Sequence, residues 1–176
     1  MEVLVVPHNP SWQYEFATEA KRIRIAFGEL PIAIHHIGST AILGIFAKPI
    51  IDILLVVRDL QAVDLKTEGM VTLGYEAMGE FGIPGRRYFR KKTPHGVRTH
   101  QVHTFEQGSP DVQRHLAFRD YMNAHGVAAK MYSSLKQHLA ASFPYDIEAY
   151  MDGKDSFIKE HEVKALEWQR QILHGT

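Results

Sequence analysis

Residues 50–57 read Ile-Ile-Asp-Ile-Leu-Leu-Val-Val, apolar at every position except Asp52. A run this short and this continuously apolar is the pattern of a strand covered on both faces, which places the chain among α/β architectures. The same run makes Asp52 conspicuous. Burying an unpaired carboxylate costs several kcal/mol, so the position calls for a cation, a metal ion or a set of hydrogen-bond donors. A purely structural ion pair, with Lys48 or an arginine supplying the charge, meets that need equally well.

Other elements follow from periodicity and punctuation along the 176 residues. A short apolar run at 3–6, stopped by Pro7, predicts a first strand. Asn9-Pro10 then starts a helix carrying Trp12, Phe16, Ala20, Ile23 and Phe27 at helical spacing, with Gly28 at its end. A strand at 32–37 runs into Gly38-Ser39-Thr40, a short helical turn follows over 41–46, and Lys48-Pro49 breaks it. Beyond the apolar strand, the pattern predicts a helix over 59–67, a hairpin from 75–81 and 87–91 around residues 82–85, and a strand over 97–105. Ser109-Pro110-Asp111 then opens an all-helical stretch, with helices at 110–124, 127–143 and 147–173, the last broken near Asp152-Gly153. The expected organisation is an α/β core over 1–107 and a helical section over 108–176 packed on it.

Charge and composition narrow the function. Twenty Lys and Arg balance twenty Asp and Glu, which argues against a dedicated nucleic-acid binder. The absence of cysteine excludes thiol nucleophiles, disulfides, Cys-ligated zinc and iron–sulfur clusters. No apolar run reaches 18 residues and the first residues lack a signal-peptide pattern, so a soluble cytoplasmic protein is expected.

Gly38-Ser39 lies between an apolar strand and a helical turn. Glycine permits a close backbone approach, and the free N–H groups of such a turn, with the serine hydroxyl, make an anion site. Twelve residues separate Ser39 from Asp52. A Gly-Ser turn followed at this distance by an acidic strand resembles the polymerase-beta-type nucleotidyltransferases. The run from His36 to Ala41, Gly44, and Ala47-Lys48-Pro49-Ile50-Ile51-Asp52-Ile53 further resembles the GrpB family (UPF0157), which is assigned to that superfamily. Matching stretches occur at 6–12, 98–103, 115–121, Leu135-Lys136 and 150–158, so the resemblance covers nearly the whole chain. It implies a mixed α/β (α+β) sheet flanked by helices, with a C-terminal helical section. It also implies a Gly-Ser turn holding nucleotide phosphates and an acidic strand carrying a divalent metal, whether Mg, Mn or Zn. The implied activity is metal-dependent transfer of a nucleoside monophosphate to an unknown acceptor, with Asp52 as the catalytic and metal-binding acid. Domains of this family also occur fused to dephospho-coenzyme A kinases. The alternative is therefore a catalytically degenerate nucleotide- or phosphate-binding module linked to coenzyme A biosynthesis.

One departure from the superfamily pattern bears on activity. The second acid is expected two residues after the first, on the same strand face, and here that residue is Leu54. Further ligands would have to come from His100 or His103 on the 97–105 strand, which lie on opposite faces if the strand is regular. Imidazole would shift the preference from Mg²⁺ toward softer metals. Candidate phosphate-binding residues are Gly38, Ser39, Lys48, Arg87, Arg90 and Arg119. Arg87 and Arg90 come from an acid-free stretch over 81–105 that could equally be a charged edge strand. Lys136 and Lys154 either line the cleft between the two parts of the chain or are ordinary helix-surface charges, the latter being the reading for each taken singly.

Overall fold

The computed structural model describes residues 1–175. Helix α1 (Ser11–Phe27) precedes strand β1 (Ile32–Ile37), a single 3₁₀ turn (Ser39–Ala41) and strand β2 (Ile51–Val57). Two short helices, α2 (Leu60–Asp64) and α3 (Thr67–Thr72), lead to β3 (Tyr75–Ala77), β4 (Arg87–Lys92) and β5 (Arg98–Glu106). Helices α4 (Pro110–Ala124), α5 (Gly126–Ser142) and α6 (Ile147–Leu173) complete the chain. The five strands form one mixed sheet in the order β1-β2-β5-β4-β3, in which β2 and β5 are parallel and the other pairs antiparallel.

Strand alternation sorts β2 between two layers. Ile51, Ile53, Leu55 and Val57 face a core built with Trp12, Ile23 and Phe27 of α1 and with Leu60, Val63 and Met70 of α2 and α3. Leu54 and Val56 face the other way, against Ile37, Phe105 and, on α4, Val112 and Leu116. The strand is thus covered on both faces, as its composition requires. The helical section packs through a third cluster, in which Ile42 and Ile45, just after the 3₁₀ turn, meet Met122, Ala128, Ala129 and Tyr132. Among the described residues no helix is long and apolar enough to cross a membrane.

Several expectations change: the short helical turn expected over 41–46 is a single 3₁₀ turn at Ser39–Ala41, and the strand expected over 75–81 is only Tyr75–Ala77. The segment at 3–6 is not a strand but a single antiparallel bridge, Val6 to Ala47. Its partner stretch cannot extend the ladder because Pro49, without an N–H, follows at once. The helix expected over 59–67 stops at Asp64 as α2, and after Leu65 and Lys66 a second short helix, α3, begins at Thr67. Helix α6 runs unbroken through Gly153. There a Cβ would run into the side chain of Leu139 on α5, so glycine serves close packing of α5 on α6, and that packing offsets its cost of about 1 kcal/mol in a helix interior. The helix starts fit their sequences: Ser109 accepts from the Asp111 N–H at 3.2 Å and Asp146 from the Ala149 N–H at 3.0 Å.

Candidate nucleotide-phosphate site at the Gly-Ser turn

Strand β1 ends at Gly38, whose φ of +74° and ψ of −172° lie in a region essentially closed to residues with a Cβ. The bend is then closed by the Ala41 N–H donating to the Gly38 carbonyl and the Ile42 N–H to the Ser39 carbonyl, both at 3.1 Å. Because Ile37 pairs with Asp52 across β1 and β2, the bend lies against the Asp52 side chain. A Cβ on Gly38 would sit 2.6 Å from Asp52 Oδ2 and 2.9 Å from Asp52 Cβ. Glycine is therefore what lets the carboxylate and the turn share this space. Gly38→Ala is expected to lower stability by about 1–3 kcal/mol from backbone strain alone, with further loss from the clash; a melting temperature equal to wild type would contradict this. Thr40 fixes the far side of the turn, donating to the Ile50 carbonyl at 3.3 Å and accepting from His36 Nε2 at 2.8 Å. Burial pushes the His36 pKa down to about 4, so that imidazole is neutral near pH 7.

Asp52 keeps 26% of its side-chain surface exposed, so it is reached by solvent rather than sealed in the core. In the parallel β2–β5 register Asp52 lies beside Gln101 and Leu54 beside His103. His103 resolves the choice between the two histidines: its Nε2 is 3.3 Å from Asp52 Oδ1. Its Nδ1 lies 3.4 Å from Arg86 Nη1, and a guanidinium can only donate. Nδ1 therefore accepts, and Nε2 carries the hydrogen that points at Asp52. In this arrangement His103 offers Asp52 a proton rather than offering a metal a lone pair. His100 is on the opposite face, aligned with Ile51 and Lys91 and subject to the charge of Glu19. Its placement corrects its candidacy as a ligand beside Asp52.

Leu54 is completely buried against Ile37 and Phe105, so the second carboxylate position of the superfamily pattern is part of the core. Among the described residues no group of three or more His, Asp and Glu is placed to hold a metal ion. One carboxylate and a histidine turned donor-first do not fit a two-metal centre.

The site is instead surrounded by cations. Lys48, half-buried after the turn, feels Asp52 and Arg98. Lys136 on α5 and Lys154 on α6 are only 1% and 8% exposed, which overturns the reading of both as surface charges. Lys154 Nζ lies 4.6 Å from the Tyr150 ring centroid and Lys48 Nζ 5.7 Å from the same ring. Lys136 Nζ lies 4.3 Å from the Tyr132 ring centroid, and the Ser39 hydroxyl is 3.5 Å from the Tyr132 hydroxyl. Burial and then Lys154 push the Lys136 pKa down to about 7. Burial and then Lys48 push that of Lys154 down to about 8, with Asp52 opposing. The sequence held a signal for these two: Lys136 falls four residues after Tyr132 and three before Leu139, and Lys154 four after Tyr150, on the buried helix faces.

The arginine candidates separate. Arg119 donates to the His36 carbonyl at 3.1 Å, two residues before the turn, and lines a cavity of about 430 Å³ with Phe16, His36 and Ala41, among others, but not Asp52. Arg90 is bound to Glu76 at 2.8 Å. Arg87 is held by Asp64 at 2.7 Å and, by strand alternation with Phe89, lies on the α1 side of the sheet, away from Asp52. Their acid-free stretch finds its counter-charges on other elements, which local sequence cannot reveal.

The family model described as GrpB protein matches residues 2–164. The UPF0157 protein YqkA of Bacillus subtilis is 47% identical over 96% of this chain, which spans only 49% of that relative's length. A dephospho-CoA kinase of Mycolicibacterium paratuberculosis is 26% identical over 94% of this chain and 46% of its own length. The crystal structure of conserved protein GrpB from Enterococcus faecalis superimposes with a TM-score of 0.89 at 41% identity, covering 94% of this chain and 99% of that one. Cid1 poly(U) polymerase, with Mg 3′-dATP bound, aligns with a TM-score of 0.55 at 11% identity, over 78% of this chain and 43% of that one. At that identity the likeness is one of fold: a nucleotidyltransferase-like mixed sheet flanked by helices.

Proposed function

This chain belongs to the GrpB family, and we propose that it binds a nucleotide through its phosphates at the Gly38-Ser39 turn, as a module of nucleotidyltransferase fold that does not complete the transfer reaction. The observation that carries this reading is Leu54, wholly buried where a second metal-binding carboxylate would stand. The turn supports anion binding: the Ser39 hydroxyl lies 3.5 Å from the Tyr132 hydroxyl of α5, whose ring Lys136 Nζ approaches at 4.3 Å, and Asp52 is the adjacent acid. The relative named as a dephospho-CoA kinase supports a place for such a module beside coenzyme A biosynthesis.

The second reading, a metal-dependent nucleotidyltransferase with an unknown acceptor, is favoured by one feature, the Asp52 carboxylate held against the phosphate turn. Calorimetry with ATP, GTP, CTP and UTP, with and without Mg²⁺ or Mn²⁺, combined with a pyrophosphate-release assay, separates the two. Binding without pyrophosphate release is expected. Metal-dependent release would establish the transferase, and no heat with any nucleotide would remove both. Asp52→Asn sharpens the contrast. Taking one negative charge from an anion site strengthens nucleotide binding, by roughly two- to tenfold, whereas a metal-bridged nucleotide would be lost.

A further inference from the structure

The one carboxylate at the turn, which acts on both Lys48 and Lys154, is outnumbered by the cations around it. Lys136 is the clearest case: its Nζ is buried and finds no hydrogen-bond partner among the described residues. The Tyr150 hydroxyl and Arg98 Nε are buried and unpartnered as well. A buried, unpaired ammonium is costly, and the cost falls away when an anion arrives. Lys48 and Lys154 both approach the Tyr150 ring, so the ammonium groups converge from three different parts of the chain: the loop before β2, helix α5 and helix α6. Asp52 acts on Lys48 and Lys154, Arg98 acts on Lys48, and Lys136 stands next to Lys154, so the positive groups of this cluster outnumber its one acid. That excess matches a ligand carrying three or four negative charges, which is a di- or triphosphate rather than a single phosphate monoester.

We propose that Lys48, Lys136 and Lys154 together hold the polyphosphate group of a nucleotide and take the charge-neutralising place of a divalent cation, so that this protein binds its ligand without metal. The proposal rests on the phosphate-binding reading above and adds to it the ligand class and the absence of a metal requirement. Lysine suits the role as a compact point charge with three donors. The Ser39 hydroxyl and the turn amides supply directional bonds at the other end of the same group.

The test is titration of the whole chain with pyrophosphate and with ATP in EDTA, repeated with Mg²⁺. Binding in EDTA, weakened at least tenfold in Lys136→Met and in Lys154→Met and unchanged in the exposed control Lys159→Met, is the expected result. Circular dichroism and melting curves establish that the variants are folded; the two lysine variants lose a buried charge and should fold readily. Binding that appears only with Mg²⁺, or that survives both lysine changes, overturns this proposal while leaving the nucleotide-binding reading intact. No binding under any condition overturns both. Equal affinity for pyrophosphate and ATP assigns recognition to the phosphates; tighter ATP binding adds a contact to the nucleoside and leaves the lysine role in place.

Discussion

Leu54→Asp should abolish the folded state rather than create a transferase. Leu54 is 0% exposed and packs with Ile37, Phe105 and the α4 side chains Val112 and Leu116. Truncating a buried leucine costs about 2–5 kcal/mol, and an uncompensated buried charge adds several more. The sum is comparable to the whole stability of an ordinary domain, about 5–15 kcal/mol. Far-UV circular dichroism, size-exclusion behaviour and a melting curve measure the outcome. A folded Leu54→Asp protein that releases pyrophosphate in the presence of Mg²⁺ would show the position to be an open site, and would return the chain to the two-carboxylate enzymes.

Lys136→Met should act in the opposite direction, making the ligand-free protein more stable. Replacing a buried, unpartnered ammonium by an apolar side chain of similar length is expected to gain about 1–3 kcal/mol at pH 6, or roughly 3–10 °C in Tm for a chain of this size. The sign of the pH dependence is set by the depressed pKa. Lys136 titrates at about 7 in the folded protein against 10.5 ordinarily. Below pH 7 both states hold the proton, and the folded state bears the full cost of the buried charge. Between pH 7 and 10.5 the unfolded chain binds a proton that the folded one has released. Wild-type stability therefore rises with pH across that window, by up to about 1.4 kcal/mol per pH unit for this group.

Lys154, at about 8, adds the same sign over a narrower range. The groups facing the pair are Lys48, Asp52, Tyr132 and Tyr150. The tyrosines stay neutral in this window: Tyr132 is pushed up to about 12 by burial, and Tyr150 is raised as well. In Lys136→Met the advantage over wild type should shrink as the pH approaches 9. A variant less stable than wild type at pH 6, or a difference independent of pH, would mean that Lys136 is neutralised by a partner.

What was legible in the sequence is what depends on neighbours in the chain. The apolar run around Asp52 specifies a strand buried on both sides, and Gly38 and Ser39 declare a turn, because an unbroken apolar run and glycine chemistry are local. The resemblance tied those two segments together, and the β1–β2 pairing of Ile37 with Asp52 is the physical form of that link. Choosing His103 over His100 required the parity of β5 against β2, which spacing leaves open and the parallel register settles. Arg87 and Arg90 are held by Asp64 and Glu76, which lie 23 and 14 residues away, pairings that neighbouring sequence does not show. Reading Lys136 and Lys154 as surface charges rather than as cleft residues was the costliest error. A lysine on an amphipathic helix is ordinarily solvated, and only the packing of α5 and α6 over the turn reveals that these two are enclosed. Their spacing from Tyr132, Leu139 and Tyr150 on the buried helix faces, and their place in stretches that match the family, were the available hints.

In the proposed complex the phosphates of a nucleotide rest between the Gly38-Ser39 turn and the lysines of α5 and α6. Crystals grown in EDTA and soaked with ATP test it most directly. Phosphate density is expected within hydrogen-bonding distance of the Ser39 hydroxyl and of the Lys136 and Lys154 ammonium groups. ATP seated elsewhere, for instance in the cavity beside Arg119 and Phe16, with both ammonium groups still unpartnered, would contradict it.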